Sequence, residues 1–362
     1  MEGKALIAMS GGVDSSVAAY LCRQAGYQCA GAILRLYDGD PGDGLPGSTC
    51  CSLDDVEDAR SVARRLGIPF HVFNAKDEFA DKVISNFIRC YECGLTPNPC
   101  IDCNRHLKFD HLLRRALILG YDYIATGHYA RIRQDPATGR RLLYRAADLS
   151  KDQSYVLSCL NQEQLSHTLF PLGEMCKDEV RAIAEAQQFI NAHKRDSQDI
   201  CFVPDGDYVS FMERYTGKTY PKGDFLDLQG QVVGHHRGAV AYTLGQRKGL
   251  GLAMGQPVYV CGKDMARNTV TVGPGEALFS KTLVGENWNW YPFPALTEPM
   301  EVTAKARYNQ PPQPATVYPE ENGAARVVFR EPQRALTPGQ AVVLYSGDLV
   351  VGGGTITRVI RE

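Results

Sequence analysis

Apolar positions in the first two hundred residues alternate between two rhythms. Short continuous runs occur in "ALIAMS" from Ala5, "CAGAILRLY" from Cys29, "PFHVFNA" from Pro69 and "YDYIATGH" from Tyr121. Unbroken runs of this length suit strands buried on both faces. Between them, "VDSSVAAYLCRQAG" from Val13, "DDVEDARSVARRLG" ending at Gly67 and "KFDHLLRRALILG" from Lys108 carry apolar residues at helical spacing. Strands separated by helices of this length predict a parallel sheet covered on both faces. After about residue 205 the helical rhythm fades. Residues 206–280 are Gly-rich, with short strand candidates "GQVVGHH" and "PVYVCGK". From "TLVGENWNW" onward short alternating segments dominate, among them "MEVTAKARY", "ARVVFRE" and "AVVLYSGDLVVGGGTITRV", with a hairpin signal at Ser346-Gly347-Asp348. The pattern predicts an α/β N-terminal domain over 1–205, a small β-rich central domain over 206–280 and a C-terminal β-barrel over 281–362.

Composition narrows the class. A chain of 362 residues has room for two or three cores, and 44% hydrophobic with 22% charged residues is ordinary for a globular protein. No apolar run approaches the roughly 18 residues that span a bilayer. The opening "MEGKALIAMSGG" holds too short an apolar stretch for a secretory signal, so a cytoplasmic protein without a membrane partner is expected. In such a compartment the 12 cysteines are expected to be thiols, with clusters that bind metal or do chemistry. The formal charge of −2 argues against a general polyanion binder, but it is uneven. Residues 104–151 hold ten Lys/Arg against four Asp/Glu, while residues 38–60 hold seven acids and one base. That basic excess is either a face for a phosphate backbone or scattered solvated charge.

"ALIAMSGGVDSS" carries the clearest chemistry. A strand delivers Ser10-Gly11-Gly12 to a helix beginning near Val13-Asp14. Two glycines let the backbone turn tightly against a ligand, and the helix start offers N–H groups and the positive dipole end to an anion. Ser10, Ser15 and Ser16 add hydroxyls. No G-x-x-x-x-G-K-[ST] is present, so this is not a Walker A loop. The second chemical stretch is "NPCIDCN", where Cys100 and Cys103 stand three apart. By spacing alone they suit a disulfide, half a zinc site, iron–sulfur ligands, a nucleophile with a helper, or packing.

The S-G-G-x-D-S-S loop resembles that of ATP pyrophosphatases (the PP-loop superfamily), which cleave ATP to AMP and pyrophosphate. Taken with "CCSLDDVEDAR", "TPNPCIDCNRHLKF", "ATGHYAR", "SKDQSYVL", "DSQDICF", "YTLGQRKGLG" and "ARYNQ", it is similar to the tRNA-specific 2-thiouridylase family (MnmA type) over almost the whole chain. The resemblance implies an adenine nucleotide alpha hydrolase-like domain, a central β-rich domain and a tRNA-binding barrel. It implies ATP-dependent replacement of O2 by sulfur at wobble uridine 34, giving 2-thiouridine in the tRNAs for Lys, Glu and Gln, with Mg2+ accompanying ATP. It also implies a sulfur donor: a cysteine desulfurase, a relay protein or inorganic sulfide. Ala8, Met9, Ser10, Gly11, Gly12, Val13, Asp14, Ser15, Leu34 and Gly127 would hold ATP. Asn98, Pro99 and Cys100 would lie against the target base, and His128, Lys151, Asp152, Gln153, Arg307, Tyr308 and Gln340 would touch tRNA. Cys103 matches the nucleophile and Cys201 the persulfide carrier.

Cys100 departs from many relatives, which carry aspartate there. A thiol replaces that carboxylate electrostatically only as a thiolate. Cys100, Cys103 and Cys201 together suit three-cysteine ligation of a [4Fe–4S] cluster with one iron open; a Cys103/Cys201 persulfide pair and structural zinc are the alternatives. Cys90 and Cys93 make the segment C-x-x-C-x6-C-x-x-C, tighter than zinc ribbons with their roughly 15–20 intervening residues. They sit at helix spacing before Gly94, a helix end, and are expected to be core or surface thiols. Cys50 and Cys51 fall in a Gly/Pro/Asp-rich loop with no assigned role, and Cys22, Cys29, Cys159, Cys176 and Cys261 are expected to pack. Rival functions are a PP-loop enzyme that amidates or ligates a small molecule, and a non-catalytic tRNA-binding protein.

Overall fold

The computed structural model describes residues 2–37, 53–194 and 200–361. The chain forms two compact units: Met1–Ile84 with Pro99–Gly206 and Asp348–Val351, and Ser85–Asn98 with Asp207–Gly347 and Gly352–Glu362.

In the first unit, β1 (Lys4–Ala8), β2 (Gln28–Arg35), β3 (Phe70–Asn74), β4 (Tyr123–Thr126), the antiparallel hairpin β5 (Arg131–Gln134) and β6 (Arg141–Tyr144), and β7 (Thr168–Leu169) follow in chain order. Five of them form a parallel sheet in the order β3-β2-β1-β4-β7. Ala5, Leu6 and Ile7 of the central strand are buried, as the unbroken apolar run predicts. Helix α1 (Val13–Gln24) packs Val17, Ala18 and Cys22 with Val62, Ala63 and Leu66 of α2 (Leu53–Leu66), and with Val180 and Ala184 of the helix Lys177–Ala186. Burial pushes the Cys22 thiol up to about 12 and Cys29 to about 11, so both are the packing residues expected. The strand order reverses beside β1, since the chain goes first to β2 on one side and later to β4 on the other. Such a switch opens a crevice at the carboxyl ends of the strands.

The two prolines Pro97 and Pro99 make "NPCIDCN" read as a stiffened loop in the sequence, but Pro99 begins a helix: α-helical over Pro99–Asp102, π-helical over Cys103–His111 and α-helical over Leu112–Ile118. At the first helical position the missing proline N–H is no loss and its fixed φ suits the helix, so the residue that signals a turn here signals a start. The π-helical stretch moves the apolar period away from 3.6, which hid the helix upstream of Lys108.

In the second unit the helix Ser85–Glu92 ends at Gly94, whose φ of +79° is the left-handed stop expected there. After the helix Tyr208–Thr216 come β8 (Gly223–Leu226), β9 (Val232–His236), β10 (Tyr259–Asp264) and β11 (Thr269–Gly273), forming a sheet ordered β10-β11-β8-β9. Phe225, Val260, Val270 and Val272 pack beneath Tyr242 and Leu250. Strands β12 (Phe279–Trp290), β13 (Met300–Lys305), β14 (Gln313–Pro319), β15 (Ala325–Arg334), β16 (Ala341–Ser346) and β17 (Leu349–Ile360) follow in the order β12-β15-β14-β13-β16-β17. Pairing from Thr282 with Ile360 to Trp290 with Gly352 closes them into the six-stranded barrel that the alternation predicts, and closure removes free edges. Among the described residues no helix is long and apolar enough to cross a membrane.

Candidate functional site

The crevice at the ends of β1, β2 and β4 is shaped by backbone. Ala8 pairs with Thr126, and the Met9 N–H donates to the Ala32 carbonyl at 2.7 Å, carrying the chain to the sheet edge. Gly11 then turns at φ +76°, where a Cβ would lie 2.5 Å from the Asp55 carbonyl oxygen. Gly12 caps α1 from an extended conformation with no side-chain cap bond, so no side chain of the cap competes for the first-turn N–H groups. The Ser15 and Ser16 hydroxyls both donate to the Gly12 carbonyl at 3.0 Å, while Ser15 Oγ accepts from the Ser10 N–H at 3.2 Å. At Gly127 a Cβ would sit 2.6 Å from the Ser15 nitrogen. Backbone cannot retreat from such a contact, so Gly127→Ala must displace the start of α1. Nucleotide affinity, read by calorimetry, is expected to fall at least roughly tenfold. Leu34 is buried near the end of β2, so all ten residues expected to hold ATP lie at the carboxyl ends of β1, β2 and β4.

Four residues behind this loop were not singled out from the sequence. Lys177, on the helix Lys177–Ala186, donates to both Asp14 carboxylate oxygens at 2.7 and 2.8 Å. The Tyr129 hydroxyl donates to Asp14 Oδ1 at 2.8 Å. Asn191, buried, donates its amide to the Gly11 carbonyl and to Ser16 Oγ, both at 2.9 Å. Lys194 bridges Asp55 and Asp58 at 2.7 Å each. Burial opposes its charge, but the hydrogen bonds it donates to the two carboxylates outweigh that and raise its pKa. The loop is thus held from below by amide and ammonium groups, leaving its N–H edge for an anion. Asp14 already serves Lys177 and Tyr129 with its oxygens, so the residues present fit a phosphate chain better than a protein-ligated Mg2+, which usually rides on phosphate oxygens and water.

Cys100 is exposed and Cys103 half-buried, one turn apart on the new helix, so both face the same side. The helix start is tied down: Asn104 donates to the Val156 carbonyl at 3.1 Å, and the Cys159 thiol lies 3.6 Å from the Ile101 carbonyl. Burial pushes Cys159 up to about 11, in keeping with a structural thiol. Cys201 is half-buried at a turn whose next residue, Phe202, packs edge-on to Phe79 at 5.6 Å. Among the described residues no three His, Cys, Asp or Glu side chains are grouped to hold a metal ion. Cys100, Cys103 and Cys201 all keep some solvent-accessible surface. Cys90 is half-buried and Cys93 exposed at the end of the helix Ser85–Glu92, while Cys50 and Cys51 lie outside the described residues. Cys261 is buried as expected, but Cys176, expected to pack, is exposed at the N-cap of the helix Lys177–Ala186. With thiolate formation suppressed by burial, Cys22, Cys29 and Cys159 are expected to resist iodoacetamide under native conditions while Cys93 and Cys176 react, as peptide mass mapping would show.

The residues expected to touch tRNA have varied settings. His128 is buried, its Nδ1 2.6 Å from Thr126 Oγ1 and its ring near Phe109 and Phe170. Burial first, then the Lys108 charge, holds its pKa well below 6.5, so the ring is neutral. The unfolded chain takes up that proton near pH 6.5 while the folded one resists, so stability should fall as pH drops below about 6.5. Urea titrations from pH 7.5 to 5.5 should show a shallower decline in His128→Gln. Asp152 is buried, accepting from the Ala146 and Ser154 N–H groups and the Ser154 hydroxyl, with Arg145 Nε at 3.5 Å. Gln153 exchanges two bonds with Tyr129, accepting its N–H at 2.9 Å and donating to its carbonyl at 3.0 Å. The Lys151–Gln153 segment therefore braces the tyrosine that reaches Asp14.

In the second unit the Gln340 amide donates to the Thr96 carbonyl at 2.9 Å and reaches that of Pro97 at 3.3 Å, holding the segment that leads into Asn98 and Pro99. Arg307 points to protein acceptors, and Tyr308 is 40% exposed beside the Lys305 ammonium at 5.7 Å. Part of the basic excess of residues 104–151 is paired. Arg114 meets Asp110, Arg131 meets Glu174 and Asp348, and Arg133 meets Glu174.

Residues 3–205 match the family described as tRNA methyl transferase HUP domain, residues 209–274 the tRNA methyl transferase PRC-barrel domain, and residues 280–356 the aminomethyltransferase beta-barrel domain. The chain is 51% identical over 360 residues to the tRNA-specific 2-thiouridylase MnmA of Heliobacterium modesticaldum, covering 99% of this chain and 93% of that one. It is 48% identical over 358 residues to that of Clostridioides difficile, covering 99% of both chains. It is 50% identical to that of Symbiobacterium thermophilum, covering 99% of this chain and 93% of that one.

Proposed function

The chain belongs to the tRNA-specific 2-thiouridylase family, a family of sulfurtransferase enzymes, and on that premise we propose that it activates O2 of the wobble uridine of tRNA with ATP and replaces it by sulfur. The observation that carries the nucleotide half is the Gly11–Gly12 turn into the uncapped start of α1, at the point where the sheet order reverses. That edge offers N–H groups to the pyrophosphate of ATP, and Lys177 and Asn191 keep it in shape by holding Asp14 and Gly11. Mg2+, bound on the phosphates, would neutralise the departing pyrophosphate.

The sulfur half rests on Cys103 and Cys201. The uridine O2 attacks the α-phosphorus of ATP, forming an O–P bond as pyrophosphate leaves. Cys201 carries a persulfide, its outer sulfur passed as sulfane sulfur from the persulfide of a cysteine desulfurase or relay protein, whose own thiolate leaves; inorganic sulfide as donor would instead add directly at C2 of the adenylated base. The Cys103 thiolate attacks the inner sulfur; a Cys103–Cys201 disulfide forms and hydrosulfide leaves with the electron pair. Hydrosulfide adds at C2 of the adenylated base, AMP departs with the former O2, and a thiol reductant returns the disulfide to two thiols. Asn98, Pro99 and Cys100, beside Cys103 in sequence, would line the base. Lys151, Asp152, Gln153 and His128 support the site from within the first unit, while Gln340, Arg307 and Tyr308 serve the RNA side of the second.

The persulfide route is preferred because it asks only two thiols, Cys103 and Cys201, to meet; a [4Fe–4S] cluster on Cys100, Cys103 and Cys201 is the alternative. Oxygen-free purification followed by iron and sulfide analysis tests this. The account expects thiolation of unmodified tRNA by protein with less than about one tenth of an iron per chain. Activity that tracks about four irons per chain would reverse the choice.

A further inference from the structure

We propose, resting on the tRNA-thiolating reading, that the loop 243–256 of the second unit grips the phosphate backbone of the RNA substrate through Arg247 and Lys248, and that Arg307 acts on the RNA by bracing this loop. The loop carries "YTLGQRKGLG", from Tyr242 to Gly251.

Its sequence is charged in one direction. Between Asp227 and Asp264 there is no Asp or Glu, while Arg237, Arg247, Lys248 and Lys263 are present. Arg247 and Lys248 are adjacent and exposed. Neither has a carboxylate in ion-pair range among the described residues, unlike Arg114, Arg131, Arg133, Arg145 and Lys194. A pair of cations left without acids suits a polyanion whose counterions it can displace.

The base of the loop is rigid. The Gly245 N–H donates to the Val260 carbonyl at 2.9 Å, and the Val260 N–H returns to the Gln246 carbonyl at 3.0 Å, tying the loop to β10. Gln246 folds back on its own turn: Oε1 accepts from the Thr243 N–H and Nε2 donates to the Lys248 carbonyl, both at 3.0 Å. This second bond fixes the backbone that carries the two cations. Gly245 turns at φ +84°, and a Cβ there would stand 2.9 Å from the Ala335 side chain. Finally one Arg307 nitrogen reaches the Leu244 carbonyl at 3.2 Å, the Ala335 carbonyl at 2.8 Å and Thr337 Oγ1 at 2.8 Å. The guanidinium joins the loop base to the turn after β15. Ordering the backbone that carries Arg247 and Lys248 before RNA arrives reduces the entropy cost of gripping a phosphate.

The test uses full-length protein and unmodified tRNA, with the dissociation constant measured from 50 to 200 mM salt. Arg247→Ser/Lys248→Ser should weaken binding roughly tenfold at the lower salt and flatten the log–log salt slope by about two, one per lost phosphate contact. Its melting temperature should be that of the parent, and Arg247→Lys, which keeps the charge, should retain most of the affinity. Arg307→Ala should also weaken binding. Combined with the double substitution, its loss should be clearly less than additive, as expected for residues acting through one element. Unchanged affinity and slope in the double variant, with tRNA thiolation intact, would overturn the grip. Fully additive losses would overturn the bracing role and make Arg307 a direct contact. A parent protein that binds no tRNA at any salt would instead sink the underlying reading.

Discussion

Cys103→Ser is expected to abolish sulfur transfer while leaving ATP binding intact. A serine hydroxyl is almost wholly protonated at neutral pH and attacks a persulfide sulfur poorly, so the step that frees hydrosulfide loses its nucleophile. The expected loss in 2-thiouridine formation is at least about a thousandfold, with nucleotide affinity within about threefold of the parent. That separation follows from position. Cys103 sits on the helix beginning at Pro99, whereas the loop proposed to hold ATP is built by Gly11, Gly12 and α1. Cys201→Ser should behave alike. Cys100→Ser should cost no more than about tenfold under the persulfide route, since its thiol carries no bond-making step. Liquid chromatography of digested tRNA, with calorimetry for ATP, reads both quantities. Thiolation surviving in Cys103→Ser would show the nucleophile to be elsewhere.

The second large effect is expected at Lys177→Met. The ammonium is largely buried and holds both oxygens of Asp14, which keeps 29% of its side-chain surface in water. Removing one partner of a fully buried pair costs on the order of 3–5 kcal/mol, and the partial exposure of Asp14 places this one near 2 kcal/mol. The larger effect is on the loop. With its anchor gone, the Asp14 carboxylate lies beside the N–H groups meant for phosphate, and ATP affinity should drop on the order of a hundredfold. Asp14→Asn in the Lys177→Met background should recover part of the stability, because the stranded charge is gone. Denaturant titration and ATP calorimetry check the pair; a single variant indistinguishable from the parent would remove Lys177 from the account.

Both results turn on how much of the site is local in sequence. The turn from β1 through Gly11 and Gly12 into α1 was legible because strand, double glycine and helix start lie within a dozen residues and each leaves a pattern. The barrel was legible from alternation, and its closure came from the packing of β12 on β17. Lys177 was not legible, because the carboxylate it meets is 163 residues away and nothing beside it marks an inward-facing lysine. Asn191 reaches Gly11 over 180 residues. The helix at Pro99 was hidden by proline's double meaning and by the π-helical period. His128, Asp152 and Arg307 were named by resemblance as RNA contacts, yet their visible bonds run to the protein. Resemblance marks such positions without saying which support the site and which touch the substrate.

The central claim is that ATP turns the uridine oxygen into a leaving group which sulfur displaces. It is tested most directly with tRNA carrying oxygen-18 at O2 of the wobble uridine, incubated with the protein, ATP and a sulfur source, followed by mass spectrometry of AMP, pyrophosphate and the nucleoside. The account predicts one labelled oxygen in AMP for each 2-thiouridine formed and none in pyrophosphate. Unlabelled AMP, or 2-thiouridine formed without ATP cleavage, would contradict it.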